Sequence, residues 1–133
     1  MAAKLIKDES RTRVRHKLVY YLKVTDSQTN QELGRLGDIH IEGMQIFTPE
    51  PLPEQAVYEV LLELPKSLAE TEDAPELPLE VVALWNRPGP SLSNYYENGL
   101  RFQNLSSHAH QVIQRLTENF VMPGRDPSAP KLF

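Results

Sequence analysis

The chain contains no cysteine, which removes disulfides, thiolate metal sites and a cysteine nucleophile from consideration. No apolar run approaches the ~20 residues of a membrane-spanning helix. The opening Met1-Ala2-Ala3-Lys4 leads into charged sequence rather than the apolar core of a secretory signal. No HExxH spacing, phosphate-cradling loop or paired acid and base marks a catalytic centre. These absences predict a soluble, cytoplasmic, non-enzymatic protein with no membrane span and no cofactor. At 133 residues the chain has the length of one ordinary domain, enough to bury a core without covalent staples.

Charge is present but unevenly spread. The net charge is −4, yet the first 23 residues carry Lys4, Lys7, Arg11, Arg13, Arg15, Lys17 and Lys23 against Asp8 and Glu9. A basic N-terminal segment therefore precedes an acidic body. That distribution suits a local anion site and argues against nucleic-acid binding, which needs a broad basic surface.

Periodicity predicts a mainly β fold. Residues 1–10 hold few apolar side chains and are expected as a flexible basic leader. Lys17 to Val24 alternates as a strand, with Leu18, Tyr20, Leu22 and Val24 on one face and Tyr21 on the other. Further strands are predicted over Leu33–Ile41, Met44–Phe47, Ala56–Leu64, Leu79–Trp85 and Tyr95–Phe102. Leu79, Val81, Ala83 and Trp85 share one side of their strand. The acidic, proline-bearing stretch from Pro65 to Pro78 shows no periodicity and is expected as a surface loop.

A single C-terminal helix is predicted, capped by Ser106 or Ser107, with Val112, Ile113, Leu116 and Phe120 on one face. Pro123-Gly124 ends it. The sum is a six-stranded antiparallel β-barrel with one C-terminal α-helix, spanning residues 11–120 and followed by a loose tail over 121–133.

Two clusters stand out against this background. Arg11 and Arg15 in Arg11-Thr12-Arg13-Val14-Arg15 are neighbours whether that segment is extended or helical. In Asp38-Ile39-His40-Ile41-Glu42-Gly43, alternation puts Ile39 and Ile41 on one face and a carboxylate and an imidazole on the other. Asp38, His40 and Glu42, with His108 and His110 later, also raise a metal reading. His108 and His110 at i and i+2 diverge on a helix, which counts against it.

The two clusters, in this order and separated by one strand, resemble the signature of the PilZ domains, bacterial receptors for the second messenger cyclic di-GMP. The Arg-x-x-x-Arg element is matched by Arg11 and Arg15. The Asp/Asn-x-Ser-x-x-Gly element is matched by Asp38 and Gly43, with His40 where the family has serine. The strand ending in Trp85, the Asn98-Gly99-Leu100-Arg101-Phe102 strand and the closing helix agree with the resemblance, which covers about residues 9–120.

The resemblance implies cyclic di-GMP as ligand and a downstream protein partner. It implies that Arg11 and Arg15 meet guanine and phosphate, for which a guanidinium fork is matched bidentately. Asp38 would accept from the guanine donor edge, and Gly43 would provide a tight backbone. His40 either fills the space of the base, leaving an adaptor that binds no nucleotide, or stacks on the base or meets a phosphate when protonated.

Overall fold

Side chains that alternate in polarity need a sheet with one dry face, and a closed barrel supplies it. The computed structural model describes residues 16–18 and 20–122. Their order is β1 (His16–Lys17), β2 (Lys23–Asp26), β3 (Gln31–Ile39), β4 (Gly43–Thr48), β5 (Val57–Glu63), α1 (Lys66–Glu72), β6 (Glu76–Pro88), β7 (Tyr96–Phe102), α2 (Ser107–Asn119) and β8 (Phe120–Val121). Six strands close antiparallel in the order β2-β3-β4-β7-β6-β5, while β1 and β8 form a separate parallel ribbon.

Leu22, Val24, Leu36, Ile46, Leu62 and Val81 fill the barrel and are fully buried. Helix α2 packs Ala109, Val112, Ile113 and Leu116 against the same core. Its start is fixed by Ser106, whose Oγ accepts from Ala109 N at 3.0 Å, satisfying one of the donors a helix leaves unpaired at its N-terminus.

Three features differ from the sequence expectation. The strand predicted over Lys17–Val24 is divided: Leu18 N donates to Val121 O at 3.1 Å outside the barrel, and β2 begins only at Lys23. Between them the alternation is lost, so Tyr21 is buried and Tyr20 exposed, the reverse of the predicted faces. The stretch from Pro65 to Pro78 contains helix α1, so there are two helices among the described residues. Leu68 is its one buried apolar anchor, too little for a periodic signal. Glu72 at its end is ion-paired with Arg115 of α2 and lies 3.6 Å from His108 Nε2. Third, Val121 lies in β8 and Met122 is buried, so these two residues belong to the body. The leader over 1–10 and the tail over 123–133 lie outside the described residues.

One buried amide organises the end of the barrel where β4 meets β7. Asn98 is completely buried. Its Oδ1 accepts from Leu52 N at 3.0 Å, and its Nδ2 donates to Thr48 Oγ1 at 2.8 Å. Asn86 Nδ2 donates to Leu52 O at 2.9 Å, so both backbone groups of Leu52 are held by side chains. The proline loop after β4 is thereby latched to the barrel, with Leu52 buried beneath it. Asn98→Ala leaves the buried Leu52 N–H without its acceptor, which costs about 1–3 kcal/mol, and takes from Thr48 Oγ1 the donor it receives, though that hydroxyl keeps its own bond to Glu50 O. Urea unfolding should show a stability loss of about 2 kcal/mol or more; a loss under about 0.5 kcal/mol would contradict the latch.

Candidate functional site

In an uninterrupted strand Leu36 and Asp38 would face the same way. Between β3 and β4 the register shifts there, pairing Leu36 with Ile46 but Asp38 with Gln45. Gly37 is thus an extra residue, a β-bulge that resets the alternation. Leu36 and Ile39 both stay in the core while Asp38 turns to the outer face. The ring of Phe47 lies over Gly37, where a Cβ would come within 2.7 Å of Cζ. A side chain at that position would displace the ring.

Strand β6 repeats the device. Ala83 pairs with Leu100 and Trp85 with Gly99, leaving Leu84 as the extra residue. Trp85, predicted on the same side as Ala83, lies instead on the outer face and is 39 % exposed. Its indole rests on Gly99, where a Cβ would come within 2.2 Å of Nε1. The Arg87 guanidinium carbon lies 5.2 Å from the indole centroid, a cation–π distance. Arg87 Nε is in turn held by Glu97 Oε1 at 2.6 Å.

The β3–β4 turn completes the wall. His40 N donates to Gly43 O at 2.8 Å, which leaves Ile41 and Glu42 at the tip. Ile41, predicted on the core face with Ile39, is 48 % exposed, because the strand ends at Ile39. The Asp38 carboxylate is oriented at both ends: Oδ1 accepts from Ile39 N at 2.9 Å, and Oδ2 lies 3.4 Å from His40 Nε2. The imidazole is 69 % exposed and stands at the rim. Gly43 pairs with Arg101, and a Cβ on Gly43 would come within 2.2 Å of Leu100 O. Glycine there is required by the close approach of β7.

Asp38, His40 and Gly43 line one groove together with Gln45, Trp85 and Arg101. Its volume is about 670 Å³, within the range of small-molecule sites. The structure therefore brings together three of the five sequence-predicted residues; Arg11 and Arg15 lie outside the described residues. Trp85 and Arg101 were not singled out as site residues from sequence. The available signal was Gly99, since glycine inside a strand marks a place where another group approaches closely.

Among the described lining residues, Arg101 is the one permanent cation, in a lining that also holds the carboxylates of Asp38 and Glu42. No group of three or more Asp, Glu or His among the described residues is arranged to hold a metal. No helix among them is long and apolar enough to cross a membrane.

A model of the PilZ domain family matches residues 8–119. The chain belongs to the PilZ family. Members of this family are in general receptors or adaptors for cyclic di-GMP. Solved structures agree on the fold. The PilZ domain of YcgR from Escherichia coli, in a structure described as containing c-di-GMP, is 18% identical with a TM-score of 0.53, and the match covers 72% of this chain and 77% of that one. MrkH of K. pneumonia, in its apo state, is 18% identical with a TM-score of 0.57, covering 80% of this chain. The Bacillus subtilis inhibitor of motility, MotI/DgrA, is 15% identical with a TM-score of 0.58, covering 74% of this chain. This PilZ chain spans just under half of each of the last two, 48% and 45%. No curated protein matches it.

The packing of Trp85 on Gly99 is open to a direct check, because Trp85 is the single tryptophan. Gly99→Ala must lift the indole from the strand, shifting its emission to longer wavelength and costing about 1–3 kcal/mol of stability. Unchanged emission would show that the indole does not rest there.

Proposed function

We propose that this PilZ domain is a non-enzymatic, cytoplasmic cyclic di-GMP receptor that couples the level of the second messenger to a protein partner. The observation that carries the reading is the joint opening of Asp38, Gly43 and Trp85 on one groove, each brought there by a bulge or a glycine contact. An indole face, a carboxylate and a close backbone suit a flat base with a donor edge.

The charge of the groove supports a role for the N-terminal arginines. Cyclic di-GMP carries two phosphates, whereas the described lining offers Arg101 against Asp38 and Glu42. Further cations are needed, and Arg11 and Arg15 supply them in this reading. Binding orders the arginine segment over the barrel, and the partner reads the ordered segment. The YcgR domain described with c-di-GMP supports the same assignment by fold.

A second reading, a PilZ-like adaptor that binds no nucleotide, is favoured by His40 at the serine position. The exposure of its imidazole weighs against it, since a ring at the rim leaves the floor of the groove open.

Titration calorimetry separates the two. The native protein should bind cyclic di-GMP, and Arg11→Ala or Arg15→Ala should each lose about 2 kcal/mol or more, roughly a thirtyfold weakening. No heat with the native protein would sink the receptor reading. His40→Ser should bind at least as tightly as the native chain; markedly weaker binding would make the imidazole a contact. Amide exchange over residues 1–16 should slow at saturating ligand, and an unchanged pattern would reject the ordering step.

A further inference from the structure

Four residues of the outer face stand in one row across the barrel. Asp38 of β3 pairs with Gln45 of β4, Gln45 with Gly99 of β7, and Gly99 with Trp85 of β6. Met44 and Ile46, on either side of Gln45, are buried, so alternation turns Gln45 outward. It lines the same groove as Asp38 and Trp85. Directly opposed side chains in a sheet start about 5 Å apart at Cβ, which gives Gln45 the Asp38 carboxylate as its neighbour on one side. On the other side Gly99 has no side chain, and the indole reaches across the gap, with Nε1 lying 2.2 Å from where a Cβ of Gly99 would stand.

The fold itself makes no use of the polar groups in the middle of this row. Gln45 is half-buried, yet its carboxamide makes no hydrogen bond to any described residue, and the indole N–H of Trp85 donates to none of them. The neighbours nevertheless decide how the carboxamide turns. An ionised carboxylate only accepts and an indole N–H only donates. Between them the carboxamide places Oε1 toward Trp85 and Nε2 toward Asp38, since the reverse sets acceptor against acceptor and donor against donor.

The row then offers an acceptor at Asp38 followed by a donor at Gln45. The Watson–Crick edge of guanine is its complement, with donors at N2 and N1 followed by the acceptor O6. Adenine has an acceptor at N1 and a donor at N6, a mismatch with both residues. With Asp38 on the guanine donors, O6 is the next atom along the edge. O6 has two lone pairs, as any carbonyl oxygen does, so a donor on the N1 side leaves the side shared with N7 open to a guanidinium.

We propose that Gln45 selects guanine in this groove, its Nε2 donating to O6 beside the Asp38 contact while Trp85 Nε1–H holds its Oε1. The proposal rests on the receptor reading of the groove and adds to it the residue that sets base specificity.

Calorimetry of the full-length chain with cyclic di-GMP and with cyclic di-AMP tests it. The native protein should prefer cyclic di-GMP. Gln45→Met keeps the length of the side chain without its polar end, and should weaken cyclic di-GMP binding about tenfold and narrow the preference over cyclic di-AMP by a similar factor. Gln45→Glu sets an acceptor against O6 and should weaken binding further. A residue that only supports the strand would weaken both nucleotides alike. In the native protein, one proton of the Gln45 side-chain amide should move downfield when cyclic di-GMP is added, a readout that needs no substitution. Undiminished binding by Gln45→Met, an equal loss for both nucleotides, or an unmoved side-chain amide overturns the role of Gln45 and leaves the receptor reading standing. No binding of cyclic di-GMP by the native chain overturns both.

Discussion

A small closed barrel keeps a dry interior through the two-residue alternation of its strands, and the described strands shift register at three places, two of which shape one groove. The extra residues Gly37 and Leu84 each reverse the parity of the strand that follows. The core is unharmed, since Leu36, Ile39 and Ala83 remain inside. What changes is the outer face, which gains Asp38 from one strand and Trp85 from another. The groove that holds Asp38 and Trp85 depends on these reversals: with regular strands both side chains would be directed at the core, where an unpaired carboxylate is not tolerated. Glycines at 43 and 99 then let the neighbouring groups come close enough to make a wall.

Much of the barrel was legible in the sequence where strands are regular. The stretch Ala56–Leu64 alternates without interruption, and β5 follows it, with Val60 and Leu62 inside and Glu59 outside. Trp85 was assigned to the wrong face because a bulge is a property of the pairing between β6 and β7, invisible to the periodicity of either strand alone. Helix α1 escaped for a different reason: a helix of seven residues with one buried leucine has no apolar stripe to detect. The division of the first predicted strand follows from β8, a partner at the opposite end of the sequence.

The candidate site was legible in kind more than in full. Asp38 and Gly43 could be found because their spacing is a short-range pattern. Trp85 and Arg101 had only the indirect signal of Gly99, because it is the register of β4, β6 and β7 that brings them into the groove with Asp38. His40 was legible as an oddity, but its place at the rim depends on a turn that starts one residue after the strand ends. Gly43, read as a residue that admits a ligand, has a structural duty of its own in letting β7 approach.

The parallel β1–β8 ribbon stands apart from the barrel and joins the two flanks of the described body. Its mechanics follow from its direction. Tension applied through the chain entering at His16 and leaving at Met122 would pull the two short strands in opposite senses along their length. Their hydrogen bonds would then be loaded together, in shear, and the force would pass from one flank to the other without crossing the barrel.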